Sequence, residues 1–562
     1  MVGDFRGARR LAGFFLQDPD GDGDHRTSDG LFVCAPRSDS VRAGDSVEVS
    51  GMVGERRGVT CILASEGTPV QITKIPRMGR VDPLEVRLPV PSPHRWEDLE
   101  GMLLTFPQTL TVTENYNLGR YGEVTLSAPH RLFVTTNQVD PNDDPAAGTT
   151  HTGTGNVAKV NAGRDLNRRR SIILDDGSDS ASLRTVPYIN RSPNAPQTLR
   201  AGSVVDGITG VLSSIGGKYR VHPTVSPVIH YAPRPAKPAI DKSANLTVAV
   251  FNIWNYFTTI DDGDNEARGA DSESERDRQR AKIIAALTAI DADIFALAEL
   301  EQNDESLEEL TSHLNQTLVR AEFQAVAAPV HLPDVPGSGI IKVGILYKPD
   351  CVTVAGDSVV MDAPAFRNAR PPIAQTFRLN RNGEMFTVVV NHFKSKRADG
   401  ASGLDKDQND GQAAFNDARR RQSEAVLQFV QQLQAASGDK DVLVVGDLNA
   451  YAEEDPVDRL RDGGLVDQLQ RFSPEEAYSY VYDGEAGQLD HVFATPGLRE
   501  QVLSAAVWHI NADEPSALDY NDDVKDTSSR RDTLRWDPTL YRPDAFRSSD
   551  HDPIIVGLRL HR

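Results

Sequence analysis

Three cysteines in 562 residues are too few for a disulfide scaffold, and the odd number leaves at least one unpaired within the chain. Cys34 and Cys61 can pair only if their strands are neighbours; buried free thiols are the preferred reading. No apolar stretch approaches the ~20 residues needed to span a bilayer. The N-terminus, Met1-Val2-Gly3-Asp4-Phe5-Arg6, lacks the basic and apolar regions of a signal peptide. Positive charge is also scarce: the formal net charge is −21, which argues against a polyanion binder that uses its whole surface. Any contact with nucleic acid must then be local and basic, or bridged by metal.

What the chain does have is length, and its length exceeds what one hydrophobic core usually supports. Residues 1–82 alternate short strand-like segments, such as Phe14-Phe15-Leu16-Gln17 and Leu31-Phe32-Val33-Cys34, with Gly-rich turns. That pattern predicts a small β-barrel. The proline-rich stretch Pro83–Pro93 reads as a linker. Residues 95–232 read as a β-rich accessory domain interrupted by a mobile polar loop from Asp140 to Asn161. A second proline cluster, Tyr231–Pro238, marks the next boundary. Residues 241–562 then alternate strands with amphipathic helices. Ile283, Ile284, Leu287 and Ile290 share one helical face, as do Phe415, Ala418, Ala425, Val426, Phe429 and Leu433. This last region is therefore α/β, with helices covering its sheets.

The most informative pattern lies there. Leu246–Phe251 runs into Asn252, Ile294–Ala298 into Glu299, Phe386–Val390 into Asn391-His392, and Val442–Gly446 into Asp447-Leu448-Asn449. Nearer the C-terminus the order reverses: Asp490-His491 and Ser549-Asp550-His551-Asp552 precede their apolar runs. Continuous aliphatic runs of this length read as strands buried on both faces. Antiparallel neighbours would bring all the polar clusters to one edge. The donors there are mostly hard oxygens with no cysteine, which suits Mg²⁺ or Mn²⁺ better than zinc and points to phosphate chemistry. His551 is the candidate base, with Asp490 as the carboxylate that fixes its tautomer. Lys394, Lys396 and Arg370 are candidate phosphate clamps.

The clusters just named resemble the motifs of the endonuclease/exonuclease/phosphatase superfamily, and within it the large secreted bacterial nucleases of ExeM/NucH type. Outside the clusters the resemblance extends to Trp254–Phe257, Arg268–Asp271, Asp410–Gln412, Tyr478–Val481, Trp508–Glu514 and, in the middle region, Gly101-Met102 through Tyr116–Glu123. It implies a DNase-like four-layer α/β sandwich preceded by β-rich domains, the first an OB-like barrel. It further implies a metal-dependent nuclease acting on DNA, with RNA as a further substrate, outside the cell. Carried over residue by residue, Asn252, Glu299 and Asp550 would hold the metal. Asp447 and Asn449 would position water or phosphate, and His392 and His551 with Asp490 would complete the acid/base set. Asn391, Arg370, Lys394 and Lys396 would face substrate. The chain opens where the family's first strand ends, which reads as an N-terminal truncation. Ser338-Gly339-Ile340 stands where relatives often carry an Asp.

Other features lie outside these clusters. Asp18, Asp20, Asp22, Gly23 and Asp29 fit the spacing of a calcium loop, against a solvated hairpin tip. Asp261–Asp277 reads as a charged surface loop, with a second structural cation left open. Arg168-Arg169-Arg170 and Arg419-Arg420-Arg421 are either solvated faces or tracks for a nucleic-acid backbone. Trp508–Glu514 has no physical assignment. The enzymatic alternatives are a phosphomonoesterase or a sphingomyelinase-like enzyme of the same fold. The alternative from another class is a catalytically decayed nucleic-acid- or matrix-binding protein.

Overall fold

The computed structural model describes residues 1–561 apart from 8–9, 36–40, 66–67, 77–78, 143–154, 179–186, 190–196, 319–321, 329–339, 368, 474–476 and 522–538. Residues 338–339, where the missing Asp was noted, thus lie outside the described residues. So does most of the expected mobile loop. Among the described residues no helix is long and apolar enough to cross a membrane.

The first region is a five-stranded sheet, in spatial order 3–5, 13–17, 30–33, 59–63, 52–56, beside a ribbon of 47–50 and 71–74. Its strands close no barrel among the described residues. Cys34 and Cys61 are free, although Phe32 pairs with Cys61 across parallel neighbours. One face of the sheet packs Phe5, Phe15 and Phe32 against Leu103 and Val211 of the middle region.

The middle region is a nine-stranded sheet, in order 228–230, 204–206, 110–114, 123–127, 171–175, 218–223, 208–215, 103–106, 84–85. Two sequence readings change here. Pro83–Pro93 is not a free linker, because Leu84–Glu85 forms the sheet's edge strand and Leu88 and Val90 are buried in its core. The expected loop also ends early, in a helix over Val157–Arg169. Only Val160 among that helix's apolar residues is fully buried, so its sequence carries almost no hydrophobic periodicity to read.

The C-terminal region is built on two sheets packed face to face. One runs 324–325, 341–347, 294–301, 246–256, 554–558, 502–507; the other runs 352–354, 370–379, 385–392, 442–447, 490–494, 466–467. Their inner faces share a core of Val248, Val250, Ala296, Ile345, Phe386, Val388, Val390 and Val445. Truncating a side chain such as Phe386 there would cost about 3–5 kcal/mol. Helices Glu273–Ile290 and Glu305–Thr317 cover the outside of the first sheet, and Asn416–Ser437 covers the second. The layers are therefore helix, sheet, sheet, helix; Ile283, Ile284, Leu287 and Ile290 are buried as expected, as are Val426, Phe429 and Leu433, whereas Ala418 and Ala425 are half-buried and Phe415 precedes its helix. Arg419, from one basic run, is fully buried and donates to the Gln412 and Ala414 carbonyls. Arg420 and Arg421 pair with Asp417, Glu424 and Asp405. That run is structural rather than a nucleic-acid track.

Middle and C-terminal regions interlock. Leu132–Phe133 pairs in parallel with Glu485–Gly487, which is hairpinned to Tyr480–Tyr482. Arg131 and Arg200 both bind the Asp513 carboxylate, at 2.9 and 3.1 Å. Asn115 donates to the Asp513 carbonyl at 2.8 Å.

Candidate active site

Parallel pairing of 246–256 with 294–301, and of 385–392 with 442–447, carries Asn252, Glu299, His392 and Asp447 to the same end of the two sheets. The antiparallel strands beginning at Asp490 and just after Asp552 deliver Asp490 and His551 to that end from the other direction. Backbone irregularities aim the side chains. The register shifts between Asn252 and Tyr256, and again between Ala298 and Leu300. Glu299 itself sits at φ +67°, a strained conformation of the kind that gathers at functional sites. Gly446 is required: at φ +130° a Cβ there would collide with the backbone of Asn391.

Asp447 is the hub. Its Oδ2 lies 3.2 Å from Asn252 Nδ2, 3.5 Å from His392 Nε2 and 4.0 Å from His551 Nε2, while its Oδ1 accepts the Asn449 N–H at 2.7 Å. Glu299 Oε1 is 3.1 Å from the same Asn252 Nδ2 and 3.8 Å from His392 Nε2; its Oε2 accepts the Asn255 N–H at 2.9 Å. His551 Nδ1 lies 2.7 Å from Asp490 Oδ2, which also accepts the Ser479 hydroxyl at 2.7 Å. This fixes the His551 tautomer and leaves Nε2 towards the cleft.

Charge is crowded here. Burial first, then Asp490 and Glu299, push the Asp447 carboxyl up to about 7 even though His551 opposes them. Burial and the nearby Asp550 raise Glu299. Burial disfavours the His551 imidazolium, yet Asp490, Asp550 and Asp447 together hold its pKa well above the usual histidine value. His392 goes the other way: burial and the Arg370 charge keep it neutral.

Glu299, His392 and Asp447 present one ligand atom each, all within 4.8 Å of one another, and they are the one such group among the described residues. Two carboxylates raised chiefly by burial and then by neighbouring carboxylates, beside a neutral imidazole, are a donor set that a divalent cation would relieve. The expected metal set overlaps this group at Glu299. Asn252 instead directs its amide N–H groups at both carboxylates, and Asp550 sits close enough to raise Glu299. The acidic residues Asp18, Asp20, Asp22 and Asp29 form no such group. Asp18 and Asp22 accept backbone N–H groups of their own turn, at 3.0 and 2.7 Å, and Asp29 accepts the Asp22 N–H at 3.1 Å.

The expected substrate contacts divide. Arg370 is buried beside the site, donates to the Phe393 carbonyl, and is lowered to about 10 by burial against the pull of Asp447 and Glu299. Lys394 stands over the Phe415 ring at 4.5 Å and feels the charges of Arg370 and Arg268. Asn391 is not in the cleft: side chains alternate along a strand, and its amide is buried against the Val389 and Val445 carbonyls. Lys396 is paired with Glu454 and donates to the Gln412 carbonyl, so its charge is already neutralised.

Four residues were missed as site residues. Arg268, read as part of an acidic loop, reaches the field of His392, Arg370 and Lys394. Ser479 holds Asp490, and the Tyr480 ring lies 4.6 Å from that of His551. Asn511, in the segment without an assignment, donates to the His551 carbonyl at 2.7 Å and takes its own N–H to Asp552 at 2.7 Å. Their one sequence signal was membership of family-like segments.

Residues 249–551, more than half the chain, match the endonuclease/exonuclease/phosphatase family. The protein belongs to that family. Among solved structures it is similar to the human Nocturnin catalytic domain, at 15% identity and TM-score 0.35 over 57% of this chain and 95% of that one. A humanised D. rerio TDP2 matches at 16% identity and TM-score 0.35, covering 56% and 99% of the two chains. A Bacteroides thetaiotaomicron mannosyl-6-phosphatase matches at 16% and 0.33, covering 56% and 100%. Likenesses of this size add nothing to the family match. No curated protein matches the chain.

Proposed function

We propose that residues 241–562 form a divalent-metal-dependent phosphodiesterase that hydrolyses DNA, with RNA as a second substrate, and that the protein works outside the cell as a nuclease of ExeM/NucH type. The observation that carries this reading is the meeting of Glu299, His392 and Asp447 within 4.8 Å, beside a second imidazole held by its own carboxylate. Glu299 and Asp447 would hold Mg²⁺ or Mn²⁺, with His392 or Asp550 completing the set. When bound, the ion would neutralise charge developing on phosphoryl oxygens.

The chain's own groups account for the rest. Asn252 bridges Glu299 and Asp447 and fixes their orientation. Asp490 holds His551 so that Nε2 can give a proton to the leaving oxygen and, once neutral, take one from water. Arg370, Lys394 and Arg268 supply positive charge on one side of the cleft, which favours an anionic diester. With Lys396 neutralised by Glu454, the preference for a polymer over a phosphomonoester rests on these three and on the adjoining domains.

The test is incubation of purified protein with circular plasmid, linear DNA, RNA and a sugar phosphate, in Mg²⁺, Mn²⁺ or EDTA. Nicking of the circle that EDTA abolishes is expected. Release of phosphate from the sugar phosphate without DNA cleavage would replace the nuclease by a phosphomonoesterase. Export is tested separately, by nuclease activity in culture supernatant.

A further inference from the structure

The walls of the cleft continue past His551 onto the middle region. Tyr480–Tyr482 is an edge strand, paired with Glu485–Gly487 across a two-residue turn in which Asp483 and Gly484 both have positive φ, the geometry of a tight hairpin. Side chains alternate along a strand. Val481 packs with Tyr478 and Ala486 on one face, so Tyr480 and Tyr482 share the other. Tyr480 lies against His551. Tyr482, two residues and therefore about 7 Å farther along, is 68% exposed.

Glu485 stands directly opposite Tyr482, on the same face. Its carboxylate accepts Asn167 Nδ2 at 2.7 Å, which ties the helix Val157–Arg169 to this wall. Arg164 lies between Asn167 and Arg168 on that helix, since positions three and four apart are neighbours, and its guanidinium also donates to the Gly411 carbonyl at 3.2 Å. Arg168 is exposed. Burial raises Glu485, and the Arg164 charge lies near enough to pull against it. An aromatic face thus leads from the reacting end of the cleft to a basic helix face, on a chain whose net charge is −21.

We propose that this wall is a binding site for a single-stranded segment of nucleic acid. One unpaired base stacks on Tyr482 and the neighbouring phosphates pass Arg164 and Arg168. Aromatic faces combined with a basic track bind single strands because every base has a π-face and every link a charge. A paired duplex offers no free base to Tyr482. The inference rests on the phosphodiesterase reading for its substrate class, but it concerns binding, which is measurable without turnover.

The experiment uses the full chain and a short labelled single strand, with fluorescence anisotropy in EDTA. Tyr482→Ala is expected to weaken Kd about tenfold, with blunt-duplex binding and turnover of bis(p-nitrophenyl) phosphate unchanged. Arg168→Ala should lower the slope of log Kd against log salt by about 0.7, the value for one single-strand phosphate. Val53→Ala, exposed on the first sheet, should alter neither. Wild-type affinity in Tyr482→Ala, or an equal loss for duplex, overturns the platform. Lower turnover of the small diester would also overturn it, by showing that Tyr482 acts through His551. An unchanged salt slope removes Arg168 from the track. Should the wild type cleave neither DNA nor the small diester with any divalent ion, the phosphodiesterase reading falls, and the anisotropy still decides the platform.

Discussion

Among the described residues a Ser–His–Asp set lies in the middle region and another in the cleft. Ser213 Oγ lies 2.7 Å from His222 Nε2, with Asp175 3.5 Å from the other ring nitrogen. On paper this is the more familiar arrangement, with hydroxyl, imidazole and carboxylate in series. Yet all three residues are buried, the Phe5 and Phe15 rings lie 5.3 and 6.5 Å from the His222 ring, and Arg220 holds Asp175 at 3.0 Å. In the cleft the serine bonds the carboxylate instead: Ser479 and His551 share Asp490, and His551 Nε2 is left facing Asp447. The difference is that both imidazole nitrogens of His222 are enclosed among protein groups, whereas one of His551 is left for a reacting molecule. The first set stabilises a packing interface. The second is available for proton transfer.

Mutation should separate the two. His551→Ala is expected to lower kcat on a diester by about 10²- to 10⁴-fold with the unfolding midpoint nearly unchanged. His222→Ala should leave kcat intact and destabilise the fold by about 1–3 kcal/mol, from the polar groups it strands. A large kcat loss in His222→Ala would erase the distinction. Arg131→Ala comes next, because it breaks the buried pair with Asp513 that joins the two regions. Urea melts should show a loss of about 3–5 kcal/mol, and a change under 1 kcal/mol would mean the regions do not depend on that bridge.

A smaller effect is expected with Ser479→Ala, which removes one bond to Asp490 but leaves the His551 contact. Activity should fall about tenfold, as for other groups that orient a reacting residue, and a fall as large as that of His551→Ala would make the serine a direct participant. The smallest effect is in the pH dependence of stability. Burial opposes ionisation of Asp175, but His222 and the Gly177 N–H hold its pKa below 3.8. Stability from this carboxylate is therefore present above about pH 4 and is lost as pH falls through the lower folded value. Asp175→Asn should be less stable than wild type at pH 6 and converge with it in acid; parallel curves would show that Asp175 does not carry this dependence.

Much of this was legible before folding. The strand-end clusters and both long helices were, because residues in a doubly buried strand must be apolar and any polar side chain at its end stands out. The helix Val157–Arg169 was not, since a helix lying on the surface of another region carries no apolar stripe. Leu88 and Val90 looked like linker among prolines, because they lie beyond the short edge strand and are buried only by packing onto the sheet's core. Asn391 and Lys396 were placed in the cleft by proximity to His392. Alternation of side chains removes the first, and the distant Glu454 neutralises the second. Arg268 and Asn511 gave no sign beyond membership of family-like segments, as their contacts depend on what lies across the fold.

By itself the sequence determined the α/β class and the oxygen and imidazole donors that stand at the strand ends of the C-terminal region, because residue type and short-range periodicity settle which strands are buried and which side chains end them. Tertiary structure alone decided which donors converge, that Glu454 neutralises Lys396, and that the middle region packs on the hairpin beside His551. Those outcomes depend on contacts between residues far apart in the sequence, where desolvation and neighbouring charge select the one group left open.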